Sequence, residues 1–567
     1  MAERNFGPAL RGPIDIHRSG DGWVVRLQGE TAKVKRDAQR DGFVHWSFAF
    51  HNQGYFQGQQ ETTEGAIEGH WFQPPGVVQG YPFATALRLD ANGDDAFSGE
   101  LVPFTQDVSL NILLTAEDSN PTGYRAFLRN PQRNLGVFFR IESATVEGDE
   151  IRFANRDGDV LGVASGAEPG ARFKMLYPRF GETLNFTRRT RANAPGFYPR
   201  RWHETPSTLS RPNRSEDGWS TATPKETGLD EQPLRDLIDS LASFEPTGLR
   251  QPYIHGLLIA HRGKLVVEEY FHGFHRNQPH DSRSAGKSLT SALLGIAIHQ
   301  GAIPSVNEPV YPMLGGIDAY PNPDARKAKI TLRHLVTMSS GYACDDDDPS
   351  SPGNEDTMQS QDAEPDWYRY ALGLPMAREP GEAGVYCTAG INLLGAALRK
   401  ATSTSLPRFF DAAFARPLGI AHYHMNLSPT YRGYMGGGIR LRPRDFLKLG
   451  QLYLDGGVWR GQRLVSEAWV RDSFAAHASI NETDDYGFGW WRKTYRVEGR
   501  DVATYYASGN GGQLLFVVPE QDLVVLIHAG NYSDGRTRNA FRDRFMQESI
   551  LPAGLSSARV SGGRTLD

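Results

Sequence analysis

The sequence predicts an α/β (α+β) protein of two domains: an all-β barrel or sandwich over residues 1–190, then a domain over 228–567 built from an antiparallel sheet flanked by helices. Three observations predict it. The chain has 567 residues, more than one hydrophobic core accommodates. Short strands separated by turn signals fill its first third. A segment at 191–227, punctuated by Pro195, Pro199, Pro206, Pro212 and Pro224, then leads into helices bracketed by strands.

Within the first domain, residues 23–27, 44–50 and 83–89 are rich in β-branched and aromatic side chains, and 109–114 and 137–141 continue the run. Turn signals at Asn120-Pro121, Glu147-Gly148-Asp149 and Asp157-Gly158 divide them. Strands this short and this closely spaced suit an antiparallel barrel or sandwich. The proline segment reads as an extended linker, because proline offers no N–H to a regular element. Arg188, Arg189 and Arg191 read as its solvated face. In the second domain, 234–241 has the pattern of a short amphipathic helix. Residues 256–261 and 264–271 form a hairpin about Arg262-Gly263. A helix runs from Ser284 to Gln300 and stops at Gly301. Strands return at 504–507, 514–518 and 523–527, and a last helix covers 538–549. Strands at both ends with helices between imply one sheet assembled from both ends of the domain.

Composition narrows the function classes. Hydrophobic residues are 39%, charged residues 22% and the net charge is −5, which gives no electrostatic reason to expect nucleic acid or a membrane surface as partner. No apolar run approaches the roughly 20 residues of a spanning helix. The N-terminus lacks a signal-peptide profile, so the sequence as it stands reads as cytoplasmic, or as periplasmic or secreted if a leader was removed. Cys344 and Cys387 are too few for a disulfide framework and are expected as two free thiols, Cys387 as a packing residue. The acids at 345–348 read as a solvated loop, and His422 and His424 lack the further ligands a metal needs. No metal or cofactor is implied.

The sharpest chemical feature is Ser284-Ala285-Gly286-Lys287 at a helix start. A spacing of three puts both side chains on one face. A lysine in an apolar site loses solvation of its charged form, so its pKa falls and it can take the serine proton. The helix N-terminus adds positive potential where oxyanion charge develops. Further on stand Thr331-Leu332-Arg333-His334-Leu335, then Pro380-Gly381-Glu382-Ala383-Gly384-Val385-Tyr386-Cys387-Thr388 and Arg442-Pro443-Arg444-Asp445. Tyr486-Gly487-Phe488-Gly489-Trp490 and Ser508-Gly509-Asn510-Gly511-Gly512-Gln513 follow.

In this order, from about residue 228 to 551, these segments resemble the serine hydrolases related to class C β-lactamases. That superfamily includes penicillin-binding D,D-peptidases, family VIII esterases and 6-aminohexanoate-dimer hydrolases, the last being nearest in texture. The resemblance implies a β-lactamase/transpeptidase-like domain with Ser284 as nucleophile, Lys287 as its neighbouring base and Tyr386 as a proton-exchanging phenol. It also implies an oxyanion hole from the backbone N–H groups of Ser284 and Gln513, and substrate contacts from Thr388, Asn510, Gly511 and Gly512. Two positions depart from the pattern. Thr388 stands where asparagine is usual, and neutral Asn510 replaces a cation that would bind a β-lactam carboxylate. Both favour an esterase or amidase with weak or no β-lactamase activity. The expected partner is a small ester, amide or peptide, with no nucleic acid and no membrane span. The alternatives are a D-amino-acid peptidase of the penicillin-binding type and a non-catalytic acyl-binding protein. Oligomeric state stays open.

Overall fold

The computed structural model describes residues 1–555 apart from 41, 62–64, 77, 79, 94, 118–119, 166–172, 178–181, 195 and 201–208. Pro195 and Pro206 of the expected linker lie outside the described residues.

The first eight strands of one sheet are β1 Gly12–Ser19, β2 Gly22–Leu27, β3 Glu30–Arg40, β4 Phe43–Phe50, β5 Gly54–Gln60, β6 Ile67–Gln73, β7 Phe83–Ala91 and β8 Ala96–Leu101. Each runs antiparallel to the next, and β8 pairs back onto β1 with Gly99 opposite Ile14, so the sheet closes into a barrel. Period-2 alternation decides what faces inward: Val44, Trp46, Phe48 and Phe50 are buried along β4, with less buried residues between them. Eight strands leave an interior just wide enough for side chains. Trp46, Phe48, Phe56 and Trp71 fill it, with Trp23 edge-on to Trp46 at 4.9 Å and Phe48 stacked on Phe56 at 5.0 Å. The barrel is a core.

Beside it lies a six-stranded antiparallel sheet of Ala2–Phe6, Gln106–Glu117, Asn120–Arg129, Ser143–Glu147, Glu150–Ala154 and Val160–Ser165. The strand expected at 137–141 is instead a helical turn, Gly136–Phe139. Asn134 and Arg140 on either side adopt left-handed φ of 53° and 44°. Gly136 also lies so close to the Leu128 carbonyl that a Cβ would sit 1.9 Å away. Backbone contact at the glycine overrides the strand propensity of Val137 and Phe138.

The second half contains α1 Glu231–Ala242, β9 Ile254–His261, β10 Lys264–Tyr270, α2 Gly286–His299, α3 Thr388–Thr402, β11 Tyr423–Asn426, α4 Pro443–Leu454, β12 Arg500–Gly509, β13 Gln513–Val518, β14 Leu523–Ala529 and α5 Gly535–Phe545. The sheet order β10-β9-β14-β13-β12 joins strands from both ends of this half, as the sequence predicts. Its central strands are apolar throughout because both faces are covered. Leu515, Val517, Val524 and Leu526 face α2, α3 and α4, while Leu514, Phe516, Val525 and Ile527 face α1 and α5.

The halves share a sheet. β7 pairs with β11, Thr85 opposite His424 and Phe83 opposite Asn426. β11 pairs with Ile439–Leu441, which pairs with His280–Asp281 just before Ser284. Polar contacts cross the seam: Thr85 Oγ1 and His424 Nδ1 are 2.8 Å apart, and His70 Nε2 and Tyr423 Oη 2.6 Å. His424 is thus occupied structurally. Among the described residues no helix is long and apolar enough to cross a membrane.

Trp71→Ala empties the middle of the barrel and is expected to cost about 3–5 kcal/mol in urea denaturation. Because the barrel sheet continues to Asp281, tryptophan fluorescence and the helical circular-dichroism signal should be lost in one transition. An early fluorescence transition that leaves the helical signal intact would show that the seam transmits no coupling.

Candidate active site

Ser284 sits on a single 3-10 turn, Arg283–Ala285, that feeds α2. Arg283 takes a left-handed φ of 46°, an unusual conformation for a side-chain-bearing residue that neighbours must hold. They do so through Asp281, which accepts from the Arg283 N–H at 3.1 Å and pairs with its guanidinium at 3.1 Å. Asp281 also pairs with Arg440 at 3.1 Å. Burial opposes ionisation of Asp281, but Arg440 and Arg283 outweigh it and hold the carboxyl well below the usual range.

Lys287 is 1% exposed. Its Nζ lies 2.9 Å from Ser284 Oγ and donates to the Gly436 carbonyl at 2.8 Å. Burial lowers its pKa, with Glu355 and Asp346 pulling the other way. Tyr386 completes the group: Lys287 Nζ lies 5.0 Å from the centre of its ring. Burial pushes the phenol pKa up, and a hydrogen bond with Ser284 offsets part of that rise. The ring stacks on Trp491 at 5.8 Å. Tyr386, far along the chain, therefore meets Ser284 and Lys287 at one point.

Sequence reasoning missed the segment that covers this point. Gly436, Gly437 and Gly438 pass so close to the serine turn that a Cβ on Gly437 would sit 2.0 Å from the Arg283 carbonyl oxygen. Three consecutive glycines were the available signal. It also missed that the acidic loop turns inward. Asp347 and Asp348 are exposed, but Asp346 accepts from the Thr388 N–H at 2.9 Å and from its hydroxyl, and the Asp346 N–H donates to the Tyr386 carbonyl at 2.9 Å. Burial raises the Asp346 carboxyl to about 6, with Lys287 lowering it and Glu355 raising it further.

The same contact explains a correction. Cys344 and Cys387 are not free thiols but joined as a disulfide. They flank Asp346 and Thr388, so pairing of those loops brings the sulfurs together, which a sequence separation of 43 does not reveal.

Other expected site residues separate. Asn510 lines the cleft, and its side-chain carbonyl accepts from the Ser533 N–H at 3.1 Å. Thr388 does not line it: fully buried, it spends its hydroxyl on Asp346. Gly511 and Gly512, each with φ of 95°, make the turn from β12 to β13 behind the lining. Gln513 is also buried away from the cleft, its amide donating to the Ala529 carbonyl at 2.7 Å and its oxygen 3.0 Å from His528 Nδ1. The strand end that meets the Ser284 turn is Gly509, where a Cβ would lie 2.5 Å from the Ser282 oxygen and 3.1 Å from the Ala285 nitrogen.

The cleft has a volume of about 770 Å³ and carries both signs of charge. Asp281, Asp346, Asp347, Glu355, Asp356 and Asp484 line it together with Arg133, Arg283, Arg538 and Arg542.

A family model described as Beta-lactamase matches residues 252–545. The 6-aminohexanoate-dimer hydrolase of Paenarthrobacter ureafaciens is 26% identical over 328 residues, covering 53% of this chain and 79% of the relative. Among solved structures, unliganded simvastatin synthase LovD from Aspergillus terreus is 18% identical with a TM-score of 0.42, covering 54% of this chain and 95% of that one. A penicillin binding protein from Bacillus halodurans is 18% identical with a TM-score of 0.39, covering 51% and 94%.

Replacing Cys344 and Cys387 together by serine frees the loops that carry Asp346 and Tyr386. Closing a loop of 43 residues corresponds to about 4 kcal/mol on the chain-entropy account. The double variant, or the wild type melted in dithiothreitol, is expected to lose stability of that order, with activity falling ahead of global unfolding. Unchanged melting under reduction would show that the bond contributes nothing.

Proposed function

The chain belongs to the Beta-lactamase family and is a hydrolase of that family; on that premise we propose that it cleaves a small ester or amide through an acyl-enzyme on Ser284, with Lys287 and Tyr386 transferring protons. The observation that carries the reading is the 2.9 Å contact of a fully buried lysine amine with Ser284 Oγ. With its pKa lowered by burial, Lys287 in the neutral form accepts the hydroxyl proton as Oγ attacks the substrate carbonyl. The oxyanion is met by the backbone N–H of Ser284 and, in place of Gln513, by that of Asn510, which follows Gly509 at the nucleophile's side of the cleft. On collapse, the proton passes from Lys287 by way of Tyr386 to the leaving oxygen or nitrogen. Water then attacks the acyl-enzyme, giving its proton to the same pair, and Ser284 leaves with a proton restored to Oγ.

Within this class we favour a linear amide such as the dimer in the relative's name. A cleft lined by six carboxylates and four guanidiniums suits a chain bearing an amine and a carboxylate better than a neutral ester.

Ser284→Ala is expected to lower p-nitrophenyl butyrate hydrolysis by about 10³-fold or more, and Lys287→Met by about 10²–10⁴-fold, with nitrocefin turned over slowly by the wild type. Activity that survives Ser284→Ala would place the nucleophile elsewhere. The acid limb of kcat/KM follows protonation of Lys287. Glu355 and Asp346 raise the pKa of that lysine, so Glu355→Gln and Asp346→Asn should each move the limb to lower pH. A limb that stays in place or moves up would remove Lys287 as the titrating base.

A further inference from the structure

The β-rich N-terminal half contributes directly to the cleft. Arg133, on the turn after strand Asn120–Arg129, lines it beside Ser284. This turn is fixed. Asn130 donates to the Ser109 carbonyl at 2.9 Å and accepts from the Arg133 N–H at 2.9 Å. Asn134 donates to the Tyr532 carbonyl at 3.2 Å, and His255 Nε2 lies 2.9 Å from the Pro131 oxygen. Gly530 leaves no room between the halves, since a Cβ there would be 1.9 Å from that same oxygen.

Held this way, the Arg133 guanidinium lies 5.1 Å from the centre of the Tyr532 ring, and that of Arg283 lies 5.2 Å from it. One tyrosine thus carries two guanidiniums next to the nucleophile's turn. The nearby carboxylate, Asp281, is already shared by Arg283 and Arg440. Among the described residues Arg133 makes no ion pair of its own. Arg133 is partly buried; a cation withdrawn from water without an anion is costly, and the cost falls when a ligand supplies the charge. Burial, with Arg283 next in weight, brings the Arg133 guanidinium down to about 9, which fits a site short of negative charge.

We propose that Arg133, together with Arg283, forms an anion subsite that binds a carboxylate of the substrate and makes the N-terminal half a specificity element of the hydrolase. It rests on the serine-hydrolase reading for its role in turnover, though not for binding itself. The sequence places a neutral Asn510 where the resemblance leads one to expect a cation; Arg133 supplies a guanidinium from a part of the chain that the family match at 252–545 does not include.

The test compares mono-p-nitrophenyl glutarate with p-nitrophenyl butyrate, esters of similar length that differ by a terminal carboxylate. In Arg133→Met the kcat/KM ratio of glutarate ester to butyrate ester is expected to fall at least tenfold, mainly through KM, with Arg133→Lys recovering part of it. Calorimetric titration of the full chain with glutarate should show at least tenfold weaker binding in Arg133→Met. An unchanged ratio overturns the proposal, as does a loss that follows Arg538→Met instead. If neither ester is turned over in a Ser284-dependent way, the esterase reading of Ser284 fails and calorimetry alone decides the subsite. Glutarate bound equally by wild type and Arg133→Met, or not bound by the wild type, then removes it.

Discussion

The constraint on which the rest depends is the burial of an amine. Lys287 is 1% exposed, and a charged ammonium there forfeits solvation that a hydrogen bond to Ser284 and one to Gly436 only partly replace. Each neighbouring device answers this. The glycines at 436–438 bring a carbonyl within reach of Nζ, which no residue with a Cβ could do so close to the serine turn. Asp346 and Glu355 limit how far the pKa falls, and Tyr386 lays its ring against the amine. The lysine thus has a lowered pKa while its side chain stays buried.

Tying down the loops that supply these groups is a separate problem, and the chain solves it in two ways. The Cys344–Cys387 bond and the Thr388–Asp346 contacts clamp the Tyr386 loop to the acidic loop. The strand His280–Asp281 anchors the Ser284 turn to the sheet that begins in the barrel. The barrel therefore acts as a rigid extension of the support for that turn, and its packed interior of Trp46, Phe48 and Trp71 suits that purpose.

What could be read from the sequence follows from how local each feature is. Helix α2, its stop and the central strands were legible because periodicity and glycine punctuation act over a few residues. Ser284 and Lys287 were legible because a spacing of three on a helix fixes their relation without help from the fold. Thr388 and Gln513 stand outside the cleft lining for the opposite reason. Their position along a motif is local, but whether a residue reaches the cleft depends on Asp346 in one case and on the course of the hairpin after Gly509 in the other. The disulfide and the inward turn of Asp346 are likewise products of loop pairing, invisible in a run of four acids. The 137–141 segment went wrong because a glycine's contact with the Leu128 carbonyl, not propensity, sets its backbone.

Charge gives the last step. Arg283 is needed beside Ser284 to hold the strained turn through Asp281, so positive charge at that end of the cleft is a structural necessity before it is a binding device. Arg440 adds a second cation to the same carboxylate, and Arg133 a third guanidinium within its field. One acid cannot balance three bases at close range. The acids of the 346–356 loop lie on the side of Lys287 and Tyr386, where they act on the lysine. The two charge populations are thus fixed by different structural demands, one by a strained turn and one by a buried amine. The cleft between them is polarised as a consequence.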